Sequence, residues 1–546
     1  MSEPLGPGWA PKKPPPSGDS ESAPKPKRYW WRFVLAAMLI VMVSAATTAS
    51  ATLLYLDDIA DKIKPGNDKL QRKLDRILAD AESGGAQTFL MIGSDKRAGA
   101  EFAEDKGRSD TAMLVRLDPS KDLISMMSIP RDLEVEIPGV GTGKFNEAYF
   151  YGGTKLTLQV VKELTGLPIN HIVNVDFLGF AQGVYAIGCV YTDVDRRYYH
   201  SNEGVPPSEQ YAEINVTPGY QLLCGKKALD YVRYRHTDTD LVRSARQQDF
   251  LSAARQRISV EDLVFDGEEL IDVFTEYTTS DISKASELLD VLKLVAASRN
   301  ATINEVDFPA ELGPSFVYTT PEAVDRAVRE FLGGDTVEEA KAENAKARKG
   351  GKKGNKPKRQ KKQKKEKPKV EVSKSGSDGL VPAREAGEAE AKIALRRGRG
   401  HFPIFYPTRL PEGAFYVESD PYEKVVDPYV YNLKDEEGNR HLAYRMVLVM
   451  EESDGTHYFG VQGIRGWSDP PILNDPSLTK EINGREYEIF VDGEDVKMVA
   501  WRRGENVYWI SNDLARTLTN DQMIGMARSA DVVVPKKKSK RGRSRG

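Results

Sequence analysis

An apolar stretch near the N-terminus constrains this chain more than any other feature. Residues 33–56 contain no charged side chain over 24 positions. As a helix they would reach about 36 Å, enough to cross a hydrocarbon layer of about 30 Å. Lysines and arginines precede the stretch, whereas Asp57, Asp58 and Asp61 follow it. We therefore predict a single-pass cell-membrane protein with its N-terminus inside and its bulk outside. The alternative is a cleaved signal peptide, which the long apolar run disfavours.

Changes in composition divide the rest of the chain into folded and unfolded segments. Its 546 residues are enough for two or three domains. Stretches rich in proline, serine and lysine are too polar to bury a core, and we expect them to be disordered. The predicted segments are a disordered cytoplasmic N-terminus (1–32), the transmembrane helix (33–56), a stalk (57–85), an extracytoplasmic domain (86–333), a basic disordered linker (334–379), a C-terminal domain (380–534) and a basic tail (535–546).

The order of apolar patterns predicts an α/β fold for the extracytoplasmic domain. Three strand-like runs between residues 88 and 130 come first, and helical patterns then surround a further strand at 189–194. Such an order is typical of a central mixed sheet flanked by helices on both faces. Residues 380–534 contain strand-like runs closed by one helical pattern at 519–529, which predicts a separate α+β domain. The helical patterns of the first domain lie at 154–165, 176–187, 226–232, 240–257, 259–275, 280–297 and 321–332.

The distribution of charge argues against a nucleic-acid-binding domain. The chain has 78 basic and 81 acidic residues, but the positive charge is concentrated in the linker at 341–370 and in the tail. The folded parts are therefore acidic, and no nucleic-acid partner is expected. Outside the cell the basic segments would meet phosphate-bearing wall polymers and lipid headgroups, or serve only as extended spacers.

Five polar clusters in the first domain end apolar strands or crowd one helix. In the last of them Arg233 and Arg235 alternate as in an extended segment, and both side chains are expected to point the same way. The following helical pattern places Arg243, Arg246 and Gln247 on one face. Guanidinium groups gathered at one place need an anion between them, and their planar forks suit pyrophosphate oxygens. The clusters are residues 93–97, 107–111, 129–132, 144–149 and 231–248.

Two aspartates at predicted strand ends complete this candidate site. Asp95 and Asp110 offer hard oxygen ligands of the kind that Mg²⁺ accepts together with phosphates. The alternative for any single charged residue is an ordinary surface ion pair. The proposal of a shared site therefore depends on all five clusters meeting at one cavity.

The clusters are similar in sequence and order to the motifs of the LytR–CpsA–Psr (LCP) family of bacterial cell-envelope proteins. The resemblance covers residues 86–257 and rests on GSDKR, RSDT, SIPRD, KFNEAYFYGG, VDFLGF and YVRYRHTDTDLVRSARQQ. It implies a phosphotransferase of Gram-positive cell-wall biogenesis. Such an enzyme moves an anionic glycopolymer from a polyprenyl-pyrophosphate carrier to peptidoglycan, forming a phosphodiester and releasing polyprenyl phosphate at the membrane lipid surface.

The resemblance also assigns roles to individual residues. It implies that Asp95 and Asp110 hold Mg²⁺. Phosphoryl-transfer chemistry leaves the general base open: Asp132 and Asp110 are the candidates, although a metal-bound aspartate is a poor base. Arg97, Arg108 and Asn146 rank lower, as rim or supporting residues. The implied catalytic residues are Arg131, Arg233, Arg235, Arg243 and Asp132, and the implied pyrophosphate ligands are Arg131, Lys144, Arg233, Arg235, Arg243 and Gln247.

A polyprenyl tail would need an apolar pocket. The apolar run at 172–188 predicts either ordinary core or, with the family resemblance, a lipid tunnel lined partly by Phe177, Leu178, Phe180 and Tyr185.

The two cysteines lie in the part of the chain that is expected to be outside the membrane. Cys189 and Cys224 are the only cysteines, and a disulfide between them is favoured there over two free thiols.

The remaining residue types exclude several other chemistries, but they leave rival functions open. The six histidines are scattered, which supports neither a zinc site nor a Ser-His-Asp triad. The alternatives to a transferase are a polyprenyl-pyrophosphate hydrolase and a non-catalytic envelope-binding or regulatory protein of the transcriptional-attenuator type. The polymer, the acceptor hydroxyl and the oligomeric state are not determined by the sequence.

Overall fold

The structure is a computed structural model of the chain. The described residues are 74, 76–81, 83–94, 109–206, 210–234, 240–257, 272–273, 276–282, 284–298, 301–342, 378–417, 428–452 and 455–535. The predicted transmembrane helix and N-terminal leader lie outside this set, as do most of the linker and the basic tail after residue 535. Within the described part of the chain, no helix combines the length and hydrophobicity needed to cross a bilayer.

The first domain alternates strands and helices as the sequence predicts. Its helices are α1 Phe145–Thr165, α2 Phe177–Ala186, α3 Gly225–Arg233, α4 Asp240–Arg257, α5 Ala285–Ala297 and α6 Pro321–Phe331. Its strands are β1 Gln87–Ser94, β2 Ser109–Asp118, β3 Leu123–Ile129, β4 Glu134–Ile137, β5 Gly141–Lys144, β6 His171–Asp176, β7 Val190–Val194, β8 Tyr198–His200, β9 Ile214–Val216, β10 Gly219–Leu223, β11 Thr278–Ser280, β12 Thr302–Val306, β13 Glu311–Leu312 and β14 Val317–Tyr318.

A six-stranded mixed sheet forms the centre of this domain. Its strand order is β11-β6-β1-β2-β3-β12, with β1 parallel to β6 and antiparallel to β2. Alternate residues of β1 enter two cores: Leu90 packs with α1 and α6, whereas Phe89 packs with α5 on the opposite face. Because both faces are covered, the strands read as nearly continuous apolar runs. The predicted central mixed sheet flanked by helices is confirmed.

The segment just before β1 belongs to the same core. Leu74 is buried among the residues between the sheet and α1, and the Ala79 N–H donates to the Ile169 carbonyl oxygen at 2.7 Å. Ala340, beyond α6, is buried in this core too. The folded domain therefore includes part of the predicted stalk and the beginning of the predicted linker.

The C-terminal domain is mostly sheet. Its strands are β15 Leu380–Pro382, β16 Ile404–Tyr406, β17 Arg409–Pro411, β18 Phe415–Tyr416, β19 Tyr429–Lys434, β20 Arg440–Glu452, β21 Gly455–Ile464, β22 Leu478–Ile482, β23 Arg485–Asp492, β24 Asp495–Arg503, β25 Asn506–Ser511 and β26 Asp531–Val533, and its helices are α7 Arg384–Arg397 and α8 Asn520–Ser529. Eight of the strands form one antiparallel sheet in the order β18-β20-β21-β25-β24-β23-β22, with β19 beside β20.

The C-terminal domain contains more strand and less helix than the predicted α+β fold implies. Helix α8 was predicted, and Thr519 and Gln522 form a reciprocal capping box at its start. Helix α7 was not predicted, because its sequence REAGEAEAKIALRR is as charged as the preceding linker and shows only a weak apolar face.

The C-terminal domain packs directly against the first domain. Tyr191 and Tyr220, from β7 and β10, share a buried cluster with Trp509 of β25. The Tyr431 hydroxyl donates to the Tyr220 carbonyl oxygen at 3.0 Å. On α4, Asp249 accepts a hydrogen bond from Arg516 at 2.8 Å. The two domains thus form one packed body despite the long basic linker between them in sequence.

Candidate active site

The register of the central sheet brings several motif ends to one edge. Ser94 pairs with Ser109 across β1 and β2, and with Asp176 across β1 and β6. Ala112 pairs with Ile129 across β2 and β3. The motifs that begin or end at these residues therefore lie side by side, although they are far apart in sequence.

Arg131, Asp132 and Lys144 form a compact ionic group beyond the end of β3. Arg131 Nε lies 3.3 Å from Asp132 Oδ2, and Lys144 Nζ lies 3.0 Å from Asp132 Oδ1. Burial raises the pKa of Asp132, but the hydrogen bond from Lys144 and the nearby positive charges outweigh it, so its pKa lies below the usual value. All three side chains are partly exposed. The carboxylate holds the two cations together while leaving them accessible.

The predicted extended conformation of Arg233 is wrong, because this residue is the last of α3. Its Nη2 donates to Asp230 Oδ1 at 3.2 Å, one helical turn earlier. Its guanidinium carbon lies 5.2 Å from the centre of the Phe177 ring, at the start of α2. The Nε atom is buried and has no hydrogen-bond partner among the described residues. A partly oriented guanidinium with a spare donor is suited to an anionic ligand.

Gln247 of α4 connects this helix to the same sheet edge. Its Nε2 atom donates to Thr111 Oγ1 at 2.9 Å and to the Val232 carbonyl oxygen at 3.1 Å. Thr111 opens the apolar part of β2, and Val232 precedes Arg233. The side chain of Arg243, one turn earlier on α4, is only 5 % exposed. The α3 and α4 motifs therefore meet β2 as the site hypothesis requires.

Arg246 does not share this role, although the helical spacing placed it on the face of Arg243 and Gln247. It is fully buried, and its Nη1 donates to the carbonyl oxygens of Tyr231 and Tyr234 at 2.7 and 3.0 Å. Its guanidinium also lies 4.6 Å from the centre of the Tyr198 ring. Arg246 thus joins α4 to the end of α3 rather than facing a ligand.

Several predicted site residues fall outside the described part of the structure. They are Asp95, Arg97, Arg108 and Arg235, together with the side chain of Asp110. Ser94 and Ser109, which directly precede Asp95 and Asp110 in sequence, pair across β1 and β2.

The predicted lipid-pocket residues lie on or beside α2. Phe177 lies under Arg233, and Phe180 packs 5.8 Å from Phe250 of α4, measured between ring centres. Leu178 and Tyr185 are 48 % and 53 % exposed. Helix α2 therefore presents apolar side chains both to the core and to the surface.

A disulfide ties this region together. Cys189 and Cys224 are bonded with their Cα atoms 4.7 Å apart. They stand directly before β7 and α3, so the bond fixes the beginning of the helix that ends at Arg233.

Three supporting residues were not identified from the sequence. Asp230 precedes Arg233 by three positions, a helical spacing that could have indicated the ion pair. Thr111 lies inside a motif that was noticed only for its charges. Asn146, which the sequence analysis ranks as a supporting residue, is buried, and its backbone N–H donates to the Arg131 carbonyl oxygen at 3.0 Å. Asn174 was missed entirely; its Nδ2 donates to the Tyr149 hydroxyl at 2.9 Å.

Comparison with known proteins points to the family that the motifs resemble. A model described as the LytR_cpsA_psr family matches residues 49–330. A teichoic acid transferase TagU of Oceanobacillus iheyensis is 29 % identical over 48 % of this chain and 79 % of its own length. TagT of Bacillus subtilis is 34 % identical over 30 % of this chain and 51 % of its own length. The probable cell wall biosynthesis protein LcpB of Corynebacterium glutamicum is 35 % identical over 33 % of this chain and 45 % of its own length. The chain spans about half the length of the last two.

Solved structures also match nearly half of this chain. The crystal structure of B. subtilis TagV is 25 % identical with a TM-score of 0.39, covering 46 % of this chain and 99 % of that one. A structure of YwtF (TagT) with bound octaprenyl pyrophosphate lipid is 23 % identical with a TM-score of 0.34, covering 46 % and 91 %.

Proposed function

Because the chain belongs to the LytR_cpsA_psr family, we propose that it transfers an anionic glycopolymer from a polyprenyl-pyrophosphate carrier to peptidoglycan. The relatives named as polyisoprenyl-teichoic acid–peptidoglycan teichoic acid transferases support this assignment. The observation that carries it is Arg233. This guanidinium is oriented by Asp230 and Phe177 and retains a buried donor for an anion.

The chemistry requires positioning and charge neutralisation more than covalent help from the protein. A hydroxyl oxygen of peptidoglycan attacks the phosphorus next to the polymer, forming a phosphodiester. The bond to the bridging oxygen breaks, and polyprenyl phosphate departs with the electron pair. Arg131, Lys144 and Arg233 would neutralise the charge that grows on the departing phosphate. Gln247, held between Thr111 and α3, would fix the distance between α4 and this group.

A divalent cation such as Mg²⁺ would supply further neutralisation when held by Asp95 and Asp110. Asp132 fits a different task. Its lowered pKa and its contacts with Arg131 and Lys144 make it a weak proton acceptor and a good organiser of cations. We therefore propose that Asp132 positions the two cations, and that the acceptor proton leaves through another group or through water.

The decisive experiment separates transfer from hydrolysis. Full-length protein in detergent is mixed with lipid-linked polymer labelled in the polymer, with and without isolated peptidoglycan. Transfer predicts label in the peptidoglycan together with an equal amount of polyprenyl phosphate, and little turnover without acceptor. Release of free polymer at the same rate without peptidoglycan would instead identify a hydrolase.

Variants on α3 provide the matched control for this assay. Arg233→Ala is expected to lower transfer at least about 100-fold, the usual cost of removing a donor to developing charge. Lys227→Ala removes an exposed positive charge from the same helix, and it should leave transfer nearly unchanged. Equal activity of both variants would contradict the proposed site.

The same proposal places the domain outside the membrane of a Gram-positive cell. The lysine-rich segment 341–370 is a natural target for trypsin added to intact cells. Cleavage there in intact cells supports the outward orientation. Protection in intact cells with cleavage after lysis would place this segment in the cytoplasm.

A further inference from the structure

A cleft in the C-terminal domain is lined by arginines that the proposed reaction does not use. It encloses about 750 Å³ between the end of α7, strands β19 and β20, and the end of β21. This volume lies within the range of about 300–1,000 Å³ that ligand sites occupy. The cleft lies beyond residue 330, where the match to the family model ends. We call it the arginine cleft and define it by Arg397, Arg399, Arg440 and Arg465.

The lining of the arginine cleft is predominantly positively charged. Its four arginines face a single lining carboxylate, Glu505. Arg399, Arg440 and Arg465 are exposed, and none of them contacts a carboxylate within the described part of the chain. Neighbouring guanidinium groups without counter-charges repel one another, and a bound anion relieves that repulsion.

The base of the cleft is held in place by a histidine. His441 Nε2 lies 2.8 Å from Asp435 Oδ2, and its Nδ1 lies 3.1 Å from the Arg465 carbonyl oxygen. Both ring nitrogens thus lie within hydrogen-bonding distance of oxygen atoms. The hydrogen bond from His441 lowers the pKa of Asp435 to about 2, so this carboxylate stays ionised.

One wall of the cleft also contacts the first domain. Tyr431 lines the cleft, and its hydroxyl donates to the Tyr220 carbonyl oxygen on β10. Strand β10 leads through Cys224 into α3, which ends at Arg233. Strand β19 therefore belongs both to the cleft and to the contact with the domain that carries the candidate active site.

From this geometry we propose that the arginine cleft binds the repeating units of a phosphate-bearing anionic polymer. Several forked donors around an open cleft suit successive phosphate groups of a chain better than one compact ion. The inference rests on the proposed transfer, because it assigns the bound chain as the polymer portion of the substrate. The cleft would hold the polymer while its lipid-linked end reacts in the first domain.

Binding is tested with full-length protein and short-chain inorganic polyphosphate as the probe. Hydrogen exchange followed by mass spectrometry localises the contact, which separates the cleft from the basic linker and tail. We expect protection of residues 429–442 and 463–466. The triple variant Arg399→Ala/Arg440→Ala/Arg465→Ala should lose this protection and bind at least about tenfold more weakly, about 1.4 kcal/mol.

A second triple variant is the matched control. Arg326→Ala/Arg329→Ala/Arg528→Ala removes the same charge from exposed positions on α6 and α8, and it should keep the protection. Polygalacturonate distinguishes phosphate recognition from general attraction of anions. Equal protection by this carboxylate polymer, or equal loss in both triple variants, would overturn the proposal. Unchanged melting temperatures verify that both variants are folded.

Turnover distinguishes this inference from the proposed function. The cleft triple variant should transfer a lipid-linked substrate with one polymer unit as fast as wild type, and a long polymer with a several-fold higher KM. If neither substrate is transferred by wild type but polyphosphate still protects the cleft, the proposed function fails while the cleft stands. If long and short substrates respond alike, the assignment of the bound chain fails.

Discussion

A buried ion pair is among the contacts that join the two domains, and we expect its removal to be costly. Arg445 of β20 is 0 % exposed, and its Nη1 lies 3.1 and 3.2 Å from the two carboxylate oxygens of Asp193 on β7. Asp193, whose side chain is 11 % exposed, also accepts a hydrogen bond from Trp509 Nε1 at 3.0 Å. Arg445→Ala leaves this carboxylate buried without a cation, which costs about 3–5 kcal/mol of folding free energy.

The measurement is urea unfolding followed by tryptophan fluorescence. Trp467, Trp501 and Trp509 all lie in the C-terminal domain, and Trp509 touches the ion pair itself. Arg502→Ala is the control, because Arg502 forms partly exposed pairs with Glu488 at 2.7 Å and with Asp469 at 3.1 Å. Breaking such a pair should cost no more than about 1 kcal/mol.

A double variant tests whether the loss comes from the uncompensated charge. Arg445→Met/Asp193→Asn removes both charges and retains an acceptor for Trp509. It should recover about 1–3 kcal/mol relative to the sum of the single changes. An Arg445→Ala loss as small as that of Arg502→Ala, or a double variant with no recovery, would refute the reasoning.

Three other perturbations have defined outcomes. Arg233→Lys keeps the charge but loses the planar fork above Phe177, so transfer should fall at least about tenfold in the peptidoglycan assay. Burial raises the pKa of Glu305 to about 8. Between about pH 5 and pH 8 the folded chain therefore holds a proton that the unfolded chain has released. The free energy of unfolding should fall as pH rises through this range. Glu305→Gln should flatten that fall in a series of melting temperatures, and an unchanged slope would contradict it. Cys189→Ser removes a disulfide whose cysteines are separated by 35 positions in sequence. It should lower the free energy of unfolding, measured by chemical denaturation, by about 3–4 kcal/mol. A loss under about 1 kcal/mol would argue against a structural role.

Much of the fold was predictable because it is encoded in local patterns. The helical spacing of residues 240–257 predicts α4 with the bounds that the structure has. The three early apolar runs predict β1, β2 and β3 for the same reason, since both faces of these strands are buried. The motifs also identified Arg131, Lys144, Arg233 and Gln247 as candidates before any contact was known.

Local patterns failed where a residue's role depends on distant contacts. Arg233 alternates with Arg235 as strand residues do, yet α3 extends to it. Arg246 shares the spacing of Arg243 and Gln247, but its side chain is used to hold the carbonyl oxygens of Tyr231 and Tyr234. Spacing reports which face of a helix a residue occupies, whereas only packing decides what that face meets.

The sequence alone therefore determined the order of strands and helices, the family motifs and the separation of folded from polar segments, because these follow from periodicity and composition. Only the tertiary structure decided that the C-terminal domain is mostly sheet, that it packs on β7 and β10, and that its arginines surround a cleft. Arg445 and Asp193 are 252 residues apart. The local sequence around each of them predicts only an ordinary charged residue on a strand. The contact exists because folding buries both together, which no local pattern records.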